Sequence, residues 1–159
     1  MKDFTVQIHI RIKDEAELTA SELRLADEAR RATYRSYSPY SHFCVGAAVE
    51  LADGTVVTGS NQENAAYPSG LCAERTAMFY ANSRYPDLPV RRLCIAARDT
   101  SGDFTSRPIA PCGACRQALL EAEQRSRQPI EVLLYGTEGT YFIRSIRDLL
   151  PVCFDDSFL

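Results

Sequence analysis

Three cysteines, placed in two separate parts of the chain, constrain the fold more than any other feature. Cys112 and Cys115 are three positions apart, and Cys72 lies much earlier. Both places have the pattern of a helix start, where free backbone N–H groups and the positive dipole end lower a thiol pKa. Because zinc binds deprotonated sulfur, a fold that brings the two helix starts together would create a metal site.

The spacing alone leaves alternatives open at Cys112 and Cys115, because redox motifs and coincidence also produce a Cys-x-x-Cys pair. The third thiolate, Cys72, favours a zinc site with one open tetrahedral position, the form that catalytic zinc takes. Glu74 follows two residues later, near enough to hydrogen-bond a water there without ligating the metal. We therefore predict one Zn²⁺ per chain, held by Cys72, Cys112 and Cys115, with Glu74 as the catalytic residue.

The bulk composition fits one globular domain over residues 1–159, with 45% hydrophobic and 25% charged residues. The net charge is −3 and no long basic block occurs, so we expect neither a nucleic acid polymer nor a membrane as partner. The start lacks the apolar run of a signal peptide, and no later stretch is long enough to span a bilayer. We expect a cytoplasmic protein whose partners are small molecules or other protein chains.

Two patterns organise the first part of the chain. Residues 4–12 alternate apolar and polar side chains, which predicts a strand added at the N-terminus. Thr19 followed by Glu22 is typical of a capping box, and apolar residues then recur at helical spacing. We predict a helix from there to about Tyr34.

The rest of the chain alternates strands and helices. A hairpin is predicted around Asp53-Gly54, a dipeptide suited to hairpin turns. The other predicted elements are helices over 72–82 and 115–123, strands over 90–97, 130–135 and 140–143, and a short helix that stops before Pro151. This order favours an α/β fold with a mixed β-sheet covered by helices.

Several sequence runs, read together, resemble the cytidine deaminase family. They are Pro39-Tyr-Ser-His-Phe43 with Val45-Gly-Ala-Ala48, Asn61-Gln-Glu-Asn-Ala-Ala-Tyr-Pro68, Cys72-Ala-Glu-Arg-Thr-Ala77, Pro111-Cys-Gly-Ala-Cys-Arg-Gln117 and Leu149-Leu-Pro151. Zinc deaminases share this arrangement of ligands and glutamate. The first ligand here is a cysteine, where other zinc deaminases have histidine. In this respect the chain resembles the small homotetrameric branch of the family, which acts on nucleosides. The resemblance implies a three-layer α/β sandwich that hydrolyses cytidine and deoxycytidine to uridine and deoxyuridine plus ammonia.

The same resemblance implies roles for further residues. Those expected to bind substrate are Phe43, Asn61, Glu63, Ala65 and Phe154. Asn61 and Glu63 would hold ribose hydroxyls and Phe43 would pack on the substrate, whereas Phe154 would stack on substrate bound in a neighbouring subunit. Arg75 matches an arginine that hydrogen-bonds ligand sulfurs and offsets the negative charge of three thiolates.

Other functions stay open on the sequence alone. The nearest is a related aminopyrimidine nucleoside deaminase, such as one acting on blasticidin S, because the zinc motifs do not choose the substrate. A second is a non-catalytic zinc- or nucleotide-binding module, which the presence of Glu74 disfavours. A third, a polynucleotide editor, is disfavoured by the net negative charge and by the lack of a basic, aromatic-rich groove.

Overall fold

The computed structural model describes residues 1–158, which form six strands and three α-helices. The strands are β1 (Arg11–Lys13), β2 (Phe43–Leu51), β3 (Val56–Ser60), β4 (Val90–Asp99), β5 (Glu131–Leu134) and β6 (Thr140–Ile143), and the helices are α1 (Ala20–Ala32), α2 (Ala73–Arg84) and α3 (Gly113–Ser126). Short 3-10 turns lie at Glu15–Glu17, Thr33–Arg35, Tyr67–Ser69, Ile146–Leu149 and Asp156–Phe158. The predicted helices and the hairpin are present, with ends shifted by a few residues.

The strands form one mixed sheet in the order β1-β6-β5-β4-β2-β3. β4 and β5 run parallel, and the other neighbouring pairs are antiparallel. The parallel pair requires a crossover connection, which α3 supplies. The predicted mixed sheet is confirmed.

The sheet lies between two helical layers, because alternate side chains of strand β4 pack against helices on opposite faces. Leu93 and Ile95 belong to the core that α2 and α3 share with the sheet, whereas Cys94 and Ala96 pack with α1 on the other face. Successive side chains of a strand point to opposite faces, so a strand buried on both sides is apolar throughout. The three-layer α/β sandwich is confirmed.

Two glycines let the helices approach the sheet closely. A Cβ atom added to Gly59 would lie 2.5 Å from the backbone nitrogen of Ala77 in α2, and one added to Gly46 would lie 2.2 Å from the carbonyl oxygen of Ala29 in α1. Both separations are too short for real contacts, so a larger residue would push the helix away. Gly59 thereby fixes the depth of α2, whose first turn carries part of the site.

Helix α1 begins at the predicted capping box. The backbone N–H of Glu22 donates to Thr19 Oγ1 at 3.3 Å, and that of Thr19 donates to Glu22 Oε2 at 2.7 Å. Two otherwise free donors are thus satisfied. The α-helix ends at Ala32 and continues as the 3-10 turn Thr33–Arg35, close to the predicted end.

The N-terminal strand is shorter than the predicted span of about 4–12. Only Arg11–Lys13 is a strand, with Arg11 opposite Phe142 of β6. β6 ends at Ile143, so β6 offers no residue to pair with the chain before Ile10. Alternation predicts which side chains share a face, but it cannot indicate where the pairing partner ends.

No helix within residues 1–158 combines the length and the apolar character needed to cross a bilayer.

Candidate active site

The two helix starts meet and bring the three cysteines together. Cys72 is the residue before α2, Cys112 is the residue before α3, and Cys115 lies in the first turn of α3. Their sulfur atoms all lie within 4.8 Å of one another. The predicted convergence of the cysteines is therefore present in the fold.

The donor set fits zinc. Tetrahedral zinc with Zn–S bonds of about 2.3 Å places its sulfur ligands about 3.8 Å apart, and the sulfurs of Cys72 and Cys112 are 3.8 Å apart. A hydrogen bond from Cys115 and the nearby Arg75 guanidinium hold the pKa of the Cys72 thiol at about 5. This cysteine is therefore a thiolate at neutral pH, the form that binds the metal.

Arg75 lies where it can offset the charge of the thiolates. Its Nη2 atom is 4.0 Å from the Cys72 sulfur, and this contact raises the pKa of the guanidinium. Its Nε atom is buried and has no hydrogen-bond partner in the described part of the chain. The geometry agrees with the expected hydrogen bond to ligand sulfur, the kind of outer contact that tunes a metal site.

Glu74 is a buried carboxyl group next to the sulfurs. It lies in the first turn of α2, is 4% exposed, and lines the same cavity as Cys72 and Cys112. Burial raises its pKa above the ordinary value. A carboxylate in such surroundings holds a proton more readily than one in water, which suits a group that must both accept and return protons.

A cavity of about 610 Å³ opens in front of Glu74. Its volume lies within the usual range for small-molecule sites. Among the expected substrate residues, Phe43, Asn61 and Glu63 line it. Ala65 is exposed and is not among the lining residues. Phe154 is 59% exposed and likewise does not line this chain's own cavity.

Asn61 is held firmly by the start of β2. Its Oδ1 accepts hydrogen bonds from the Val45 backbone N–H at 2.8 Å and from the Ser36 hydroxyl, and its Nδ2 donates to the Phe43 carbonyl at 2.9 Å. An amide has two N–H donors, so one remains for a ligand. Asn61 therefore shapes the loop around Phe43 and still offers one donor to the cavity.

The Glu63 carboxylate accepts hydrogen bonds from the loop before β2. Its Oε2 accepts from the backbone N–H groups of Tyr40 at 2.9 Å and Ser41 at 3.2 Å, and its Oε1 accepts from the Ser41 hydroxyl. These bonds, that of the Ser41 hydroxyl above all, lower the pKa of Glu63. The Ser41 Oγ also accepts from the Phe43 N–H at 3.1 Å. Ser41 thus links the Glu63 carboxylate to the backbone of Phe43, the two residues expected to contact the substrate.

Two residues within the quoted motifs have positions that sequence reasoning did not assign. Ser41 is one, and Arg116 is the other. Arg116 donates from Nε to the Pro111 carbonyl at 2.8 Å and from Nη1 to the Leu149 carbonyl at 2.9 Å, so it braces the turn that presents Cys112. Their place inside conspicuous motifs was the only available signal. Ser41 donates to the Glu63 carboxylate and Arg116 to two backbone carbonyls, and the sequence does not show that these groups are neighbours in the fold.

The cavity also has walls from segments outside the motifs. Ile109 and Ala110, in the loop before Pro111, line it, as does Leu71. Apolar walls exclude water and so strengthen the electrostatic interactions inside a site.

Comparison with known families gives a match over most of this region. Residues 19–128 match the family model for the cytidine and deoxycytidylate deaminase zinc-binding region. The match includes all three cysteines and Glu74.

Individual proteins are similar over nearly their full length. A cytidine deaminase from Halalkalibacterium halodurans is 40% identical over 130 residues, which are 82% of this chain and 91% of that protein. A probable cytidine deaminase from Dictyostelium discoideum is 35% identical, over 84% of this chain and 83% of that protein. The crystal structure of a cytidine deaminase from Burkholderia pseudomallei superposes with a TM-score of 0.72 at 38% identity, covering 86% of this chain and all of that one.

Proposed function

Because this chain belongs to the cytidine deaminase family, we propose that it is a zinc-dependent hydrolase that converts cytidine and deoxycytidine to uridine and deoxyuridine plus ammonia. We place this activity in the 610 Å³ cavity in front of Glu74.

One observation carries the proposal: a buried carboxyl group and a three-sulfur site share the floor of a cavity sized for a small molecule. Glu74 and the sulfurs of Cys72 and Cys112 line that cavity. A purely structural zinc site is closed by four protein ligands. Among the described residues the cluster contains three ligand groups, Cys72, Cys112 and Cys115, which leaves one position for the reaction.

Cys72, Cys112 and Cys115 would hold the metal. A bound zinc ion would supply Lewis-acid activation of a water molecule at neutral pH. Glu74 removes one proton from the water that attacks C4 and delivers it to ring N3. It then moves the second proton of that water to the leaving amine as the C4–N bond breaks, and C4 keeps the oxygen. Ammonia and the uracil ring result, and the atoms balance.

Three further residues that line the cavity support the orientation of a nucleoside. Phe43 offers a ring that can pack on the substrate. Asn61 offers one free N–H and Glu63 a carboxylate oxygen, and both groups can bind the sugar hydroxyls. Holding the base and sugar this way places the reacting carbon near Glu74, and such positioning lowers the barrier before any chemistry occurs. Ala65 is assigned to the same pocket by resemblance alone.

We also propose a homotetramer in which Phe154 completes a neighbour's site. Phe154 is exposed, and the backbone of the tail is tied to α3 through Gln117 Nε2, which donates to the Phe154 carbonyl at 3.0 Å. The Phe154 ring stacks on the ring of Phe158, with centres 5.7 Å apart, and both rings stay exposed, so the pair offers apolar surface to another chain. Exposed aromatic residues elsewhere, Phe79 and Tyr80 on α2, supply further apolar surface for assembly.

The reaction would serve pyrimidine salvage in the cytoplasm. Its product is a free nucleoside that other salvage reactions can use. None of the six cysteines, all of which lie within residues 1–158, forms a disulfide, the state that a reducing compartment maintains.

Turnover of defined substrates tests the proposal. Zinc-loaded protein should release ammonia from cytidine and form uridine, whereas blasticidin S should be used much more slowly. Faster turnover of blasticidin S would assign the chain to the other deaminase specificity. No ammonia from either compound would favour a non-catalytic zinc-binding module.

A further inference from the structure

An exposed apolar row lies along the N-terminal arm, which we define as residues 4–12. Its members are between 42% and 85% exposed and alternate with polar residues: Phe4, Val6, Ile8, Ile10 and Ile12. The arm precedes residues 19–128, the part that matches the family model. The row is therefore a feature that the zinc-binding region does not explain.

The arm lies at an open edge of the sheet. β1 is the outermost strand, and residues 4–10 belong to no strand. Proteins usually protect such an edge with lysine, proline or charges, and β1 itself carries Arg11 and Lys13. Residues 4–10 before it contain no proline, lysine or acidic residue. An exposed apolar segment without such protection, next to an edge strand, is typical of a surface that another strand covers.

The arm is complementary to itself in one antiparallel register. With Ile8 opposite Ile8 of a second copy, Val6 faces Ile10 and Phe4 faces Ile12, so every apolar residue has an apolar partner. Register can slip only by two residues if the side chains keep their face. Either slip would set a charged residue, Lys2 or Asp14, against an apolar one.

Charge complementarity supports the same register. It places Asp3 of each arm opposite Lys13 of the other, at both ends of the paired segment. In the single chain, the Lys13 ammonium lies 3.1 Å from Glu22 Oε1 and 4.1 Å from the centre of the Phe142 ring. An ammonium has three N–H donors, so Lys13 can keep Glu22 and still bind Asp3.

We propose that the N-terminal arm pairs antiparallel with the arm of a second copy of this chain, about a twofold axis at Ile8, and joins their two sheets edge to edge.

Disulfide trapping in the zinc-loaded full-length protein tests the pairing. Facing residues of antiparallel strands have Cα atoms about 4.5–5.5 Å apart, within the range that a disulfide bridges. An Ile8→Cys variant should therefore form mostly covalent dimers under mild oxidation. The arm is exposed, so the substitution leaves the fold and cytidine turnover intact.

Val6→Cys is the matched control on the same face. Two copies of this residue would lie about 13 Å apart along the strands, too far for a bridge. The Val6→Cys, Ile10→Cys double variant should cross-link again, because those positions face each other. If Ile8→Cys stays monomeric on non-reducing gels, or if Val6→Cys cross-links equally well, the pairing is wrong. The readout is covalent dimer and does not depend on the proposed activity.

Discussion

At the scale of single residues, Glu74 and Ser41 carry two different tasks. Glu74 is buried beside the sulfurs with a raised pKa, which suits proton transfer. Ser41 touches no reacting atom in the proposed mechanism and acts through Glu63 and Phe43. The two residues should therefore affect different kinetic parameters.

We expect Glu74→Gln to keep zinc and fold and to lose catalysis. The amide has nearly the shape of the carboxylate but cannot accept a proton. Proton transfer by one group contributes about 10²- to 10⁴-fold to the rate. Because Glu74 acts more than once per turnover, kcat should decrease by about 10⁴-fold or more. Glu121→Gln, the same change on the exposed face of α3, is the control. Retained zinc with turnover within about tenfold of wild type, about 1.4 kcal/mol in the barrier, would remove Glu74 from the mechanism.

We expect Ser41→Ala to weaken substrate binding more than chemistry. Without the Ser41 hydroxyl the Glu63 carboxylate is oriented less firmly, so KM for cytidine should rise severalfold while kcat changes little. Ser41→Thr keeps the hydroxyl and should restore most of the affinity. A fall in kcat at unchanged KM, or no rescue by threonine, would contradict this positioning role.

The cysteines and Glu74 could be predicted as site residues because their residue types indicate their chemistry. The roles of Ser41 and Arg116 could not be predicted in this way. Three cysteines, with a glutamate nearby, indicate a metal site by residue type and spacing alone. The Ser41 hydroxyl donates to the Glu63 carboxylate, 22 residues later in the sequence, and Arg116 donates to the Leu149 carbonyl, 33 residues later. Such partners become neighbours only in the folded chain, so no local pattern could assign them.

At the scale of elements, the site depends on two helix starts held at a fixed depth against the sheet. α2 approaches the sheet at Gly59, and Arg116 ties the start of α3 to the Leu149 carbonyl. The cysteines thus sit on rigid elements, which preserves their spacing.

We expect Cys112→Ala to lose most of its zinc. Even partners outside the ligand shell change metal affinity about 10- to 100-fold, and removal of a ligand should cost at least as much. Cys112 is exposed and its side chain caps no backbone group, so the fold should survive. Cys153→Ala, which removes a thiol outside the cluster, is the control for metal analysis. Equal zinc content in the two variants would overturn the ligand assignment.

The periodicity of apolar residues predicted the helices and strands correctly, except at the N-terminus. The predicted strand at 140–143 and the helix start at Thr19 agree with the structure. The first strand was predicted over 4–12 and is formed over 11–13, since strand length depends on the neighbour as well as on alternation. The alternating pattern over residues 4–12 is longer than the strand that pairs with β6, and this excess supports the proposed pairing of two arms.

At the scale of the whole molecule, the proposed homotetramer would add Phe154 of one chain to the site of its neighbour. We expect the Phe154→Ala variant to lose at least about fivefold in kcat/KM, because stacking an aromatic ring on a base is worth about 1–3 kcal/mol. Val152→Ala, on the same exposed tail, should have little effect.

Mixed oligomers test which chain supplies the ring. Chains with Phe154→Ala, coexpressed with chains carrying Glu74→Gln, should form some sites with both native residues. The mixture should then exceed the mean activity of the two separate variants. Activity equal to that mean would place Phe154 in its own chain's site or in none.

The proposed function rests on zinc-dependent turnover of cytidine at the three-cysteine site. The most direct measurement removes the metal with a chelator, confirms by circular dichroism that the fold is retained, and follows the loss of cytidine absorbance as zinc is added back. We expect no turnover in the metal-free protein and a linear return that saturates at one zinc ion per chain. Turnover that persists without metal, or a zinc-saturated protein that leaves cytidine unchanged, would contradict the proposed function.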